Sequence, residues 1–178
     1  MRSLDQILDE YQERLKCASK PGAGRAHQIQ IVFAEFRRIV ESVQEDVSQY
    51  LVERFENLVI TKEWNRANLL IAAAFTRPSP SLLRPMLAIL ALNEEFAPNE
   101  MIVDYILEHG DSTCVPSLIE TVGSRFESDP SRQLPKKCLE AILEVGGEEG
   151  IRFLARTSRG GDEELSEYAK ELINSADQ

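Results

Sequence analysis

Histidine is scarce in this chain, whose 178 residues hold His27 and His109 and no other. Cysteine is scarce too, and Cys17, Cys114 and Cys138 are an odd number without CxxC spacing. That count gives neither a disulfide framework nor a zinc knuckle, so the three read as reduced thiols. HExxH is also absent, and no metal site or cofactor is expected. Long apolar runs are missing as well. The two longest, Leu69 to Phe75 and Met86 to Leu92, are seven residues each, against the roughly 20 that a membrane span needs. Arg2, Asp5, Asp9 and Glu10 interrupt the stretch where a signal peptide would be apolar. The expectation is a soluble cytoplasmic protein with no membrane partner.

What the chain does contain suits one folded domain. Apolar residues make up 43% of it, too many for disorder and enough for a continuous core. The net charge of −10 is unevenly spread. Residues 1–89 carry 12 Lys and Arg against 11 Asp and Glu, whereas residues 90–178 carry 8 against 19. A field of that sign repels phosphate backbones and attracts basic partners. A basic protein is therefore the expected partner, and nucleic acid is not; the same acidity would also keep a bare surface solvated.

Helical periodicity runs along the whole length, with no strand-length alternation. Ser3 and Gln6 have the spacing of a capping box, followed by Leu4, Ile7, Leu8, Tyr11 and Leu15 to about Cys17. Lys20-Pro21-Gly22-Ala23-Gly24 breaks the chain. Ile29, Phe33, Phe36, Val40, Val43 and Val47 then recur three and four apart, continuing through Leu51, Phe55 and Leu58. This is either one helix of about 30 residues or two joined by a tight break near Val43 to Asp46. From Thr61-Lys62-Glu63-Trp64 a helix to Phe75 or Thr76 is apolar nearly all round, which places it in the middle of the protein. Pro85 requires the next helix to begin near it or to kink. Further helices are expected from Ala97-Pro98-Asn99 to Glu108, from Asp111 or Ser112 through Thr121, from Asp129-Pro130 to Val145, from Glu148 to Thr157, and from Asp162 to about Asn174.

The C-terminal half repeats itself. Ile102 to Gly110 followed by Val115 and Leu118 matches Cys138 to Gly146 followed by Ile151 and Leu154, at a constant offset of 36 residues. Helix, Gly stop and second helix at that period are the mark of a helical solenoid. Leu143-Glu144-Val145-Gly146-Gly147-Glu148-Glu149-Gly150-Ile151-Arg152-Phe153-Leu154, with Gly160-Gly161-Asp162-Glu163-Glu164 after it, resembles HEAT repeats. The resemblance covers residues 100–174. With the all-α reading of the periodicity, it implies a short right-handed α-solenoid of HEAT-like helical hairpins over residues 61–178. Residues 1–60 depart from the pattern, with longer helices and no turn signature, and are expected as a longer-helix N-terminal cap or a degenerate start of the array. HEAT-like proteins are mostly binding scaffolds, and some relatives are DNA glycosylases, lyase subunits or toxin-neutralising partners. The fold alone selects none of these roles.

Catalytic constellations are not found. His109 precedes the helix-ending Gly110, where the dipole favours a cation, so capping accounts for it. Gly146 to Gly150 lacks a lysine and carries two glutamates, which suits a tight turn rather than a phosphate cradle. One constellation stands out: Asp104 and Glu108 lie four apart, and 36 residues on lie Glu140 and Glu144. Stacked repeats would set the four in an acidic patch, with Glu100 extending the first row and Lys136 relieving the second. Reversing all four is expected to weaken partner binding without harming the fold. In HEAT arrays the second helices line the concave face, which implies Ser117, Glu120, Thr121, Arg152, Phe153 and Arg156 as candidates, Phe153 as an exposed aromatic. The functional expectation is a non-enzymatic module whose acidic residues Asp104, Glu108, Glu120, Glu140 and Glu144, with Phe153, bind a basic protein, in the manner of an inhibitor or immunity protein. The alternatives are a HEAT-like nucleic-acid-modifying enzyme or lyase subunit, for which Arg152, Arg156 and Arg159 form a small basic strip, and a structural oligomer built on the N-terminal helices.

Overall fold

Ser3 opens the chain's first helix through both halves of the capping box. Its hydroxyl accepts from the Gln6 N–H at 3.3 Å, and the Gln6 amide oxygen accepts from the Ser3 N–H at 3.0 Å. The computed structural model describes residues 3–21, 24–43 and 46–176. Among them it contains no strand and ten α-helices. These are α1 (Leu4–Ala18), α2 (Arg25–Ser42), α3 (Ser48–Thr61), α4 (Trp64–Thr76), α5 (Leu83–Ala91), α6 (Asn99–His109), α7 (Val115–Val122), α8 (Gln133–Val145), α9 (Gly147–Thr157) and α10 (Glu163–Ala176). The 30-residue stripe is thus two helices, of which Val32, Phe36, Val40, Val47, Leu51, Phe55 and Leu58 are buried and Phe33 only half-buried. Two positions of each expected break, Gly22 and Ala23 in the first and Gln44 and Glu45 in the second, lie outside the described residues.

The chain packs as two compact units, Met1–Leu82 and Leu83–Gln178. In the first, α4 lies against α1, α2 and α3. Its Ala67 and Leu69 to Ala74 are all buried, as a helix apolar on every side must be. α4 falls within the 61–178 span expected to hold the repeats, yet it packs with α1 to α3 in the first unit. Polar ties fix the same four helices. The Asp5 carboxylate accepts from the Tyr50 hydroxyl at 2.7 Å and from Arg54 at 2.6 Å, joining α1 to α3. Arg66 on α4 donates to Gln12 at 3.0 Å and to Asp9 at 2.5 Å, and Arg14 pairs with Glu35 of α2.

In the second unit α8 is the hub, packing on α6, α7, α9 and α10, while α5 packs on α6 and α7. Pro85 sits in the first turn of α5, because a 3₁₀ turn at Pro80–Leu82 precedes that helix. The two glycines 36 residues apart each close a helix, Gly110 in an extended and Gly146 in a helical conformation. Gly110 N–H bonds the Ile106 carbonyl at 2.7 Å, and Gly146 N–H bonds the Ile142 carbonyl at 3.0 Å. Both glycines are needed for close approach, since a Cβ on Gly110 would lie 2.5 Å from the Ile106 oxygen and one on Gly146 would lie 2.4 Å from the Ile142 oxygen. One boundary differs from expectation. Asp129-Pro130 does not start α8, which begins at Gln133; instead the Asp129 carboxylate reaches over a turn to accept from Gln133 N–H at 2.8 Å and Leu134 N–H at 3.0 Å.

Candidate functional site

All of the net charge belongs to the second unit. Residues 1–82 hold 11 Lys and Arg against 11 Asp and Glu, while residues 83–178 hold 9 against 19. Several of those few cations are engaged with the unit's own carboxylates. Lys137 on α8 donates to both oxygens of Asp104 on α6 at 2.8 Å and lies 3.6 Å from Glu100. Partial burial works against the Lys137 charge, but the hydrogen bond and attraction of Asp104, with help from Glu100, outweigh it and raise its pKa. Lys136, one helical step away, turns to Glu164 on α10 at 2.6 Å. Arg125 and Arg132 approach Asp162 at 3.3 and 3.5 Å.

The four carboxylates at the repeat offset are therefore not equivalent. Asp104 is held by Lys137 and Glu140 accepts a hydrogen bond from the Tyr168 hydroxyl. Burial, then the bond to Glu140, then the charges of Glu140 and Glu171 push the Tyr168 phenol up to about 12. Glu108, beside His109 at 3.8 Å, and Glu144 are exposed. Reversing all four would set a cation against Lys137 at the Asp104 position, whereas Glu108 and Glu144 are exposed. Relief of the rows is also reassigned. Lys137 serves the first row, and Lys136 leaves the second for Glu164.

On the second helices, Phe153 is half-buried rather than exposed, with the Arg156 guanidinium 5.8 Å from its ring centre. Large apolar side chains are exposed elsewhere in this unit, at Phe96 (81%) and Ile151 (53%). Glu120 is exposed on α7 and lines a cavity of about 280 Å³ with Leu90, Ala91, Asn93, Thr121, Gly123 and Ser124. The cavity lies where α5 and α7 both end. Asn93 turns the chain after α5 at φ +51°, a left-handed conformation that asparagine tolerates better than most residues. Its side-chain oxygen accepts from the Ser124 hydroxyl at 2.5 Å, and Ser128 N–H donates to Glu95 at 2.7 Å, so the two loops beside the cavity are tied together.

Glu120 and Thr121, candidates on the HEAT resemblance, line this cavity; Asn93 and Ser124 were not among the candidates. An asparagine directly after an apolar run is a helix-stop signal, but its pairing with a serine 31 residues later has no mark in the sequence. Among the described residues, no three or more His, Cys, Asp or Glu side chains are placed to hold a metal ion, and no described helix is long and apolar enough to cross a membrane. Comparison of the chain with protein-family models, curated proteins and solved structures gives no match.

Proposed function

We propose that this protein is a non-enzymatic, cytoplasmic binding module whose second unit docks a basic protein, in the manner of an inhibitor of a basic enzyme. The observation that carries the reading is the concentration of the whole −10 charge in residues 83–178, where Glu108, Glu120 and Glu144 remain exposed while Lys136 and Lys137 serve other carboxylates. A potential of that sign concentrates cationic surfaces before contact and disfavours phosphate backbones. The HEAT-like, right-handed solenoid belongs to the same proposal. It is supported by the 36-residue offset, by the glycine that ends both α6 and α8, and by helices that pack on the next but one, α5 on α7, α6 on α8 and α8 on α10.

The test is capture of partners from the native cell at low and high salt, alongside the variant Glu108→Lys/Glu144→Lys. A basic protein held at low salt, released at high salt and not recovered with the variant is the expected result. Recovery of nucleic acid, or a partner indifferent to both salt and variant, would overturn the reading.

A further inference from the structure

The cavity between the ends of α5 and α7 has a chemistry more specific than its charge. We propose that it binds the guanidinium of an arginine side chain from the basic partner, with Glu120 as counter-ion; the partner's part in this rests on the function proposed above. Around the cavity the hydrogen-bond donors are largely spent within the protein. Ser124 O–H donates to Asn93 at 2.5 Å, and Thr121 O–H donates to the Ser117 carbonyl at 2.9 Å. The backbone N–H groups of Asn93, Gly123 and Ser124 bond the carbonyls of Leu90, Glu120 and Thr121. The Asn93 amide nitrogen is the remaining side-chain donor on the wall.

The lining residues thus offer mostly acceptors: the Glu120 carboxylate, the Thr121 and Ser124 hydroxyl oxygens, and helix-end carbonyls that keep a second lone pair beyond the bonds they already accept. Helix C-termini carry partial negative charge, so both backbones add to Glu120 rather than oppose it. Such a wall selects a cationic ligand with several donors and no acceptor, which among protein side chains at neutral pH means lysine or arginine. Guanidinium fits better than ammonium, because its five N–H groups fan out in a plane and can meet a carboxylate in pairs while bonding other acceptors at its edge. Leu90 and Ala91 supply apolar wall for the methylene stem. The volume, about 280 Å³, sits just below the roughly 300–1,000 Å³ of pockets that take larger ligands, as suits one side chain. A lone carboxylate is too few anionic oxygens for a divalent cation.

The experiment is an NMR titration of the full-length chain with Nα-acetyl-arginine N-methylamide, the lysine equivalent, and the neutral citrulline equivalent. Arginine should shift the amide signals of Asn93, Glu120, Thr121, Gly123 and Ser124, lysine should do so more weakly, and citrulline should leave them in place. Glu120→Gln should weaken arginine binding about tenfold or more, as loss of a charged hydrogen-bond partner does. Asn93→Asp keeps an acceptor for Ser124 and adds a second carboxylate, so it should tighten binding, a gain that misfolding does not imitate. Shifts elsewhere, equal response to lysine, or indifference to both substitutions would overturn the assignment. Short oligo-arginine and oligo-lysine peptides separate the two proposals. If both peptides bind with salt sensitivity and neither responds to Glu120→Gln, the cavity proposal fails and the acidic docking reading stands. If the arginine amide fills the cavity while neither peptide binds, the docking reading fails and the partner's role in the cavity fails with it.

Discussion

Cys138 has no exposed surface, and burial alone pushes its thiol from the ordinary 9.0 up to about 12. Cys114, also buried, is raised chiefly by the same cause. Only thiolates attack disulfide reagents, so these two should stay silent while exposed Cys17 reacts. A colourimetric thiol count on the native protein should give one fast thiol per chain, and three after denaturation; two or more fast native thiols would contradict the burial. The same shifts predict how stability depends on pH. Cys138 and Tyr168 hold their protons more tightly folded than unfolded, so the folded state binds more protons once the unfolded groups begin to ionise. Their contribution is fully present below about 9 for the thiol and about 10 for the phenol, and is lost as pH rises towards about 12. Chemical denaturation midpoints should therefore fall from about pH 9 upwards. Tyr168→Phe removes one of these groups, so its midpoint should fall less steeply above pH 10; a slope equal to that of the parent would remove Tyr168 from the account.

At the scale of elements, the closest approach between α8 and α9 is set by Gly150, where a Cβ would lie 2.2 Å from the Ile142 carbonyl oxygen. Backbone cannot swing aside as a side chain can. Gly150→Ala should cost about 1–3 kcal/mol, as overpacking does, whereas Gly161→Ala, with nothing within 4 Å of its Cβ, should stay within about 0.5 kcal/mol. Urea melts of the pair check this, and equal midpoints would refute it. Such local features were partly legible. The capping box at Ser3, the helix start near Pro85 and the Gly146 turn follow from residue chemistry within a few positions, and so does the interior place of α4, whose apolar residues leave no polar face. The start of α8 misled because Asp129-Pro130 has the composition of a helix opening; the carboxylate does cap α8, but across a turn that spacing does not reveal. The exchange of Lys136 for Lys137 has a similar origin. One position is about 100° around a helix, enough to move an ammonium from the side of α10 to the side of α6. The cavity pair Asn93 and Ser124 was not legible at all, because it depends on how two helix ends meet.

Over the whole molecule, long-range field and local contact should separate in the kinetics of association. Glu108 and Glu144 are exposed residues of a unit whose net charge is −10. Each reversal changes that charge by two, so Glu108→Lys/Glu144→Lys takes the unit to −6. Exposed charges act mainly by steering the encounter, which salt screens over a Debye length of about 10 Å at 0.1 M. Glu120 differs in lining a cavity that a ligand would fill, so its interaction is made in the complex and lost on dissociation. With an arginine-containing basic peptide as probe, the double reversal should lower the association rate and flatten its salt dependence while leaving dissociation nearly unchanged. Glu120→Gln should do the opposite, raising the dissociation rate about tenfold at nearly constant association. Surface plasmon resonance across a salt series reads both constants directly. If all three carboxylates move only the association rate, the second unit acts as a diffuse acidic field and the cavity holds no side chain; if Glu120 alone governs dissociation, the field delivers a partner that the cavity then retains.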